Sequence, residues 1–126
     1  MIRCCLLIAS YFLSTSALAA AIECPENTLL KGNEPPNGIE LRCETSTGIL
    51  HGPYKRWYGN GQLNQQMNYI NGQEHGEQKA WWPNGTLMMK GISVDGQRFK
   101  GYEYWDMQGN KINVEFNTTN KAEPSA

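Results

Sequence analysis

The sequence repeats itself every 24 residues, and no other property of the chain narrows its possible folds as much. His51-Gly52 returns as His75-Gly76. Trp57 returns as Trp81 and again as Trp105. Asn60-Gly61 returns as Asn84-Gly85 and then as Gln108-Gly109, and Asn71-Gly72 returns as Asp95-Gly96. A period of this size marks stacked supersecondary units, none of which can bury its apolar face alone. The two clearest units are HGPYKRWYGNGQLNQQMNYINGQE and HGEQKAWWPNGTLMMKGISVDGQR. A third, FKGYEYWDMQGNKINVEF, has its opening glycine, Gly101, one residue late. A degenerate half-unit lies upstream, with Asn37-Gly38, then Gly48, then His51-Gly52.

Each unit carries two turn signals. The first is Gly59-Asn60-Gly61 or Pro83-Asn84-Gly85, where the last glycine can take the left-handed conformation of a bulge. The second is Asn71-Gly72 or Asp95-Gly96, a strong two-residue hairpin signal. Between them lie short runs rich in aromatic and branched residues: Tyr54 to Tyr58, Leu63 to Ile70, Leu87 to Val94 and Ile112 to Phe116. These lengths suit strands and are too short for helices. Short connections force antiparallel neighbours. The expected fold is all-β, a meandering antiparallel sheet of consecutive β-hairpin repeats over residues 38–116. Residues 20–37 read as a loop-rich N-terminal cap, and the polar end NTTNKAEPSA, residues 117–126, as a disordered tail.

The chain opens with MIRCCLLIASYFLSTSALAA. Arg3 precedes an apolar run from Cys4 to Leu13, and Ala17-Leu18-Ala19 follows in an A-x-A arrangement. This order predicts a secretory signal peptide over residues 1–19 and a periplasmic or secreted protein. The run is shorter than the roughly 20 residues that span a bilayer core, so no stable membrane insertion is expected after cleavage. A retained N-terminal anchor is the competing reading; lipoprotein processing at Cys24 is disfavoured by the preceding Glu23. About 107 residues would remain, one small domain. Without Arg3 the balance is 10 basic against 12 acidic residues, about −2. No basic excess suits nucleic acid, and no basic amphipathic stretch suits a membrane surface.

Cleavage would leave Cys24 and Cys43 as the cysteines of the mature chain. An even pair in an exported chain points to a disulfide, which would tie the cap to the first strand. A loop of about 20 residues would gain on the order of 3 kcal/mol from it. A metal site is the alternative, though C-x-x-C spacing is absent.

The pattern Trp57-Tyr58-Gly59-Asn60-Gly61-Gln62-Leu63, then Asn71-Gly72 and His75-Gly76, resembles the MORN-variant repeat. It returns as Trp81-Trp82-Pro83-Asn84-Gly85-Thr86-Leu87 with Asp95-Gly96. The resemblance covers roughly Gly38 to Phe116. The third unit departs from it, with Phe99-Lys100-Gly101 in place of His-Gly and Lys111 in place of leucine. The upstream half-unit has Pro35-Pro36 where the aromatic pair would stand. Both departures suit end units. The family is found in bacterial proteins labelled antitoxin-like, a label that fits poorly with a signal peptide. The resemblance implies a hairpin sheet and, by analogy, binding to proteins or lipids. It implies no activity and no catalytic residue.

His51 and His75 both precede the repeat glycine, so the period accounts for them; Glu74 and Glu77 beside His75 read as a solvated charge cluster on a turn. The chain has no nucleophile elbow, phosphate loop or zinc spacing, and neither enzyme activity, cofactor nor metal is expected. The aromatic set is the binding candidate. Trp57, Trp81 and Trp105 share one phase of the repeat, with Tyr58, Trp82 and Tyr104 beside them. A core ladder of cross-strand aromatic pairs is the structural reading. Adjacent residues of a strand point to opposite faces, so one row should stand more exposed and could grip a partner. The expected function is a non-catalytic protein-binding module of the cell envelope or exterior, its protein partner unknown. The alternatives are a glycan- or peptidoglycan-binding stripe and a periplasmic immunity or inhibitor protein.

Overall fold

A computed structural model describes residues 21–99 and 101–114. The expected signal peptide, the expected tail, and the Glu115-Phe116 end of the last run lie outside the described residues. The described chain forms ten strands and no helix. They are β1 (Thr28–Asn33), β2 (Glu40–Thr45), β3 (Leu50–Trp57), β4 (Leu63–Ile70), β5 (Gln73–Glu74), β6 (Gly76–Trp81), β7 (Leu87–Val94), β8 (Gln97–Arg98), β9 (Glu103–Trp105) and β10 (Lys111–Ile112). One antiparallel sheet runs in the order β1-β2-β3-β4-β6-β7-β9-β10, with β5 on β4 and β8 on β7. No helix among the described residues is long and apolar enough to cross a membrane.

The turn residues set the hairpins. Gly61 N–H donates to the Tyr58 carbonyl (3.0 Å) and Tyr58 N–H to the Gln62 carbonyl (2.8 Å). The same pair of bonds closes Trp82–Thr86 and Asp106–Asn110. In each turn the fourth residue is a glycine, with φ of 85° at Gly61, 86° at Gly85 and 87° at Gly109. A side chain there would meet left-handed backbone strain. At the other end of the strands Asn71 (φ 49°) and Gly72 (φ 81°) make the two-residue hairpin turn, repeated by Asp95 (φ 50°) and Gly96 (φ 77°).

Two findings go beyond the expected layout. The segment read as a loop-rich cap contains β1, which occupies the strand position of 52–57 one period upstream. Lys31↔Arg42, Lys55↔Gln66 and Lys79↔Lys90 are equivalent pairs in three successive hairpins. The repeat therefore begins before Gly38. Its first strand is an exposed edge, so it carries no alternating pattern that would have announced it.

The second finding is a register slip. β4 meets β6 through Gln66↔Lys79, and β7 meets β9 through Lys90↔Glu103. The equivalent partner of Arg42 would be Lys55, but Arg42 pairs with Tyr54 and Leu41 with Lys55. The pairing then breaks between Arg42 and Glu44, opposite His51 to Pro53. Pro53 stands at the break and has no N–H to offer a ladder, unlike Glu77 at the equivalent place. A slip of one residue turns a strand's side chains to the opposite face. One face thus runs Glu40, Arg56, Gln65, Ala80, Met89, Tyr104, and the other Leu41, Lys55, Gln66, Lys79, Lys90, Glu103.

The sheet is one layer thick, and its interior is correspondingly small. Leu41, Cys43 and Ala80 are the buried hydrophobic residues among those described. Cys24 is joined to Cys43 on β2, with Cα atoms 5.5 Å apart. The bridge draws Pro25 against Gly52, where a Cβ would lie 2.5 Å from the proline ring. The cap is thereby fastened across the slipped junction, and closing that loop restricts the unfolded chain by about 3 kcal/mol.

Candidate functional site

The slip brings onto one face two sets of side chains that regular stacking would have separated. Glu40, Arg42 and Glu44 come from β2, Tyr54 from β3, and Gln65, Met67 and Tyr69 from β4. With Leu50, Gly48 and Glu74 they line a groove of about 510 Å³. The guanidinium of Arg42 lies between two carboxylates: Nη1 donates to Glu40 Oε1, and Nε to Glu44 Oε2 at 2.9 Å. Tyr54 OH donates to the other oxygen of Glu40 at 2.9 Å. Tyr69 stands edge-on to Tyr54, with ring centroids 5.8 Å apart. Glu74 closes the groove, and its Oε2 accepts from Gln78 Nε2 at 2.8 Å. Among the described residues Glu74 has no cationic partner.

Electrostatics follow from this geometry. Burial, then the hydrogen bond to Glu40, pushes the Tyr54 phenol up to about 12. The Tyr69 phenol is also raised, by burial and then by the charges of Glu74 and Glu40. Arg42 is held more firmly protonated by its bonds to Glu44 and Glu40. The lining carries three carboxylates against one guanidinium.

The aromatic candidates sit elsewhere. Trp57, Tyr58, Trp81, Trp82, Tyr104 and Trp105 are all half-buried, so neither row stands clear of the other. Tyr58 and Trp82 lie just past the ends of β3 and β6, as the first residues of the tight turns. Strand alternation does not reach them there. Their polar atoms are used between units: Tyr58 OH donates to the Trp81 carbonyl (2.8 Å), and Trp82 Nε1 to the Trp105 carbonyl (2.9 Å). Asn60 and Asn84 make parallel ties from Nδ2 to the carbonyls of Pro83 (3.0 Å) and Met107 (2.9 Å). This arrangement is a spine that stitches each turn to the next.

The histidines do not meet in a pocket. His51 Nδ1 accepts from the Asn71 N–H at 3.2 Å, which anchors the hairpin turn. His75 Nδ1 is 3.6 Å from Asp95 Oδ1. Glu77 is paired with Lys79 at 3.0 Å. A smaller cleft of about 300 Å³ lined by Glu77, Lys90, Gly91, Ile92 and Gly101 contains neither histidine. Among the described residues no group of three or more His, Cys, Asp or Glu could hold a metal ion.

The 24-residue period points to positions where the units agree. The groove is lined where they differ. Tyr54 and Tyr69 are answered one period later by Gln78 and Ser93, and Glu40, Arg42 and Glu44 lie upstream of the first clear unit. The signal that could have found them is that difference together with Pro53.

The family model of the MORN repeat variant matches residues 50–71 and 74–93. Those two stretches are the units whose turns and ties are described above. MORN repeats are generally modules that bind proteins or membranes. No curated protein matches the chain. No solved structure matches it either.

Proposed function

We propose that the chain is an exported, non-catalytic protein-binding module of the cell envelope or exterior, which holds its partner on the groove-bearing face of the hairpin ribbon. The observation that carries this reading is the groove at the slipped junction. It is concave, lined by two tyrosines, Met67 and charged groups, and among the described residues no second layer covers it. Fixed charges set beside aromatic rings suit selective recognition of a partner surface. The repeat match supports a binding role. The disulfide Cys24–Cys43 supports residence in an oxidising compartment. The aromatic spine serves this module by keeping the units in register.

A crosslinking pull-down of the tagged, exported protein from its own cells tests the reading, with Tyr69→Ala and Tyr58→Ala variants in parallel. One protein recovered by the native chain, and lost with Tyr69→Ala at unchanged protein level, supports it. Recovery of cell-wall glycan instead of protein, or recovery that ignores Tyr69→Ala, overturns it.

A further inference from the structure

Resting on that binding-module reading, we infer that the groove receives a cationic side chain, lysine or arginine, from an extended segment of the partner protein. Charge selects it first. Glu40 and Glu44 share Arg42, while Glu74 on the opposite wall holds only a neutral amide. Lys31 and Arg56 stand beside Arg42 and Glu40 in the register, but both are exposed and neither lines the groove. Glu44 is 17% exposed in its side chain, so its charge is weakly screened.

Shape selects it second. The rings of Tyr54 and Tyr69 and the thioether of Met67 form a soft wall between the carboxylates. An aromatic face beside a carboxylate is a good seat for a cation with an apolar stem.

The chain itself supplies the third observation. One period after Glu74 stands Arg98, whose guanidinium carbon lies 5.1 Å from the centre of the Tyr102 ring. Its Nη1 also donates to Tyr104 OH at 3.3 Å. In that unit the face provides its own cation over its own tyrosine. At the groove the position of Arg98 is taken by Glu74, and among the described residues neither Tyr54 nor Tyr69 has a cation over its ring.

The test uses the full chain with its disulfide intact and a neutral host peptide carrying one central arginine. The same peptide with citrulline keeps the shape and removes the charge. Titrations followed by amide NMR shifts should show the arginine peptide moving the resonances of Gln65 to Tyr69 and Glu74, and the citrulline peptide leaving them in place. Raising salt from about 50 to about 500 mM should weaken the response. A Glu44→Gln, Glu74→Gln double variant that melts like the native chain should lose affinity about tenfold.

Equal binding of the citrulline peptide, indifference to salt, or shifts confined to the tryptophan turns would overturn the inference. So would sedimentation showing a dimer abolished by Arg98→Gln, because the chain's own arginine would then fill the groove. Binding to phosphatidylcholine vesicles in place of the peptide would overturn it as well. The salt and citrulline comparisons use native protein, so a poorly folded variant does not blunt them. If the pull-down recovers its protein and the arginine peptide gives no response, the module reading stands and this inference falls; if both fail, both fall.

Discussion

The units at residues 50–73 and 74–97 share a backbone and treat the same face of the sheet in opposite ways. In the second unit Gly91 has no side chain, and the ring of Tyr102 lies flat in the space, where a Cβ would be 2.6 Å away. Tyr102 OH then donates to Gln78 Oε1 (2.9 Å) and bonds Ser93 Oγ (2.8 Å), so two fully buried polar side chains are satisfied. In the first unit the equivalents of Gly91, Ser93 and Tyr102 are Met67, Tyr69 and Gln78. Gln78 is shorter than tyrosine and is drawn toward Glu74. The groove lies on this face, with Met67 and Tyr69 in its lining. Two positions distinguish the faces: Gly91 receives the ring of Tyr102, whereas Met67 and Gln78 stand at the equivalent places.

The strongest way to break this contrast is to deny Tyr102 its seat. Gly91→Met should destabilise the protein by about 3 kcal/mol, because the ring must leave and its two buried partners lose their bonds. Chemical unfolding would measure this, and a midpoint unchanged from the native chain would refute the filled-face account. Tyr102→Phe is gentler. The ring still packs, but Gln78 Oε1 and Ser93 Oγ lose their bonds to it, and a loss of about 1.5 kcal/mol is expected in the same experiment.

A third change sharpens the contrast from the other side. Met67→Gly with Gln78→Tyr imposes the second unit's solution on the first. Stability should fall by about 1–2 kcal/mol, because Gln78 is also the acceptor for Tyr102 OH, while the response to the arginine peptide disappears. Persistent binding would show that the groove is not the seat.

The smallest effect is in alkali. The Tyr54 phenol is held up to about 12, and Gln78 at the equivalent place has no such proton. An unfolded tyrosine titrates near 10. Between those values the unfolded chain sheds a proton that the folded chain keeps, so stability falls as pH rises through that window. Tyr54→Phe should make the fall shallower, measured as thermal midpoints from about pH 9 to about pH 12. An identical slope in the variant would place the alkaline sensitivity elsewhere.

Most of the fold could be read in the residues. Leu63–Ile70 and Leu87–Val94 are strands with the ends their turn signals predicted, because Asn-Gly and Asp-Gly leave the backbone little choice. The disulfide was legible from an even cysteine pair. β1 was not, since an exposed edge strand ending in Gly32-Asn33 buries no face and shows no alternation. The groove was hidden for a different reason. Arg42 and its flanking glutamates look like the counterparts of Gln66 and its neighbours, and the period assigns them to the opposite face. Only a one-residue slip of pairing, a property of two strands together, puts them beside Tyr54. The aromatic phase was legible as a pattern, but its use was not, because Tyr58 and Trp82 sit in turns where their polar atoms reach the next unit.

Those reaches have a bearing on how such a chain can change length. Tyr58 to Trp81, Asn60 to Pro83, Trp82 to Trp105 and Asn84 to Met107 are all bonds from one unit to the same place in its neighbour. A tandem duplication of one 24-residue segment would present every donor with a ready acceptor, and the ribbon would grow by one hairpin without any other adjustment. An insertion or deletion within a strand that is not a whole number of periods would leave these donors facing the wrong residues. The lengths open to descendants of this gene are therefore stepped, and the step is the period written in the sequence.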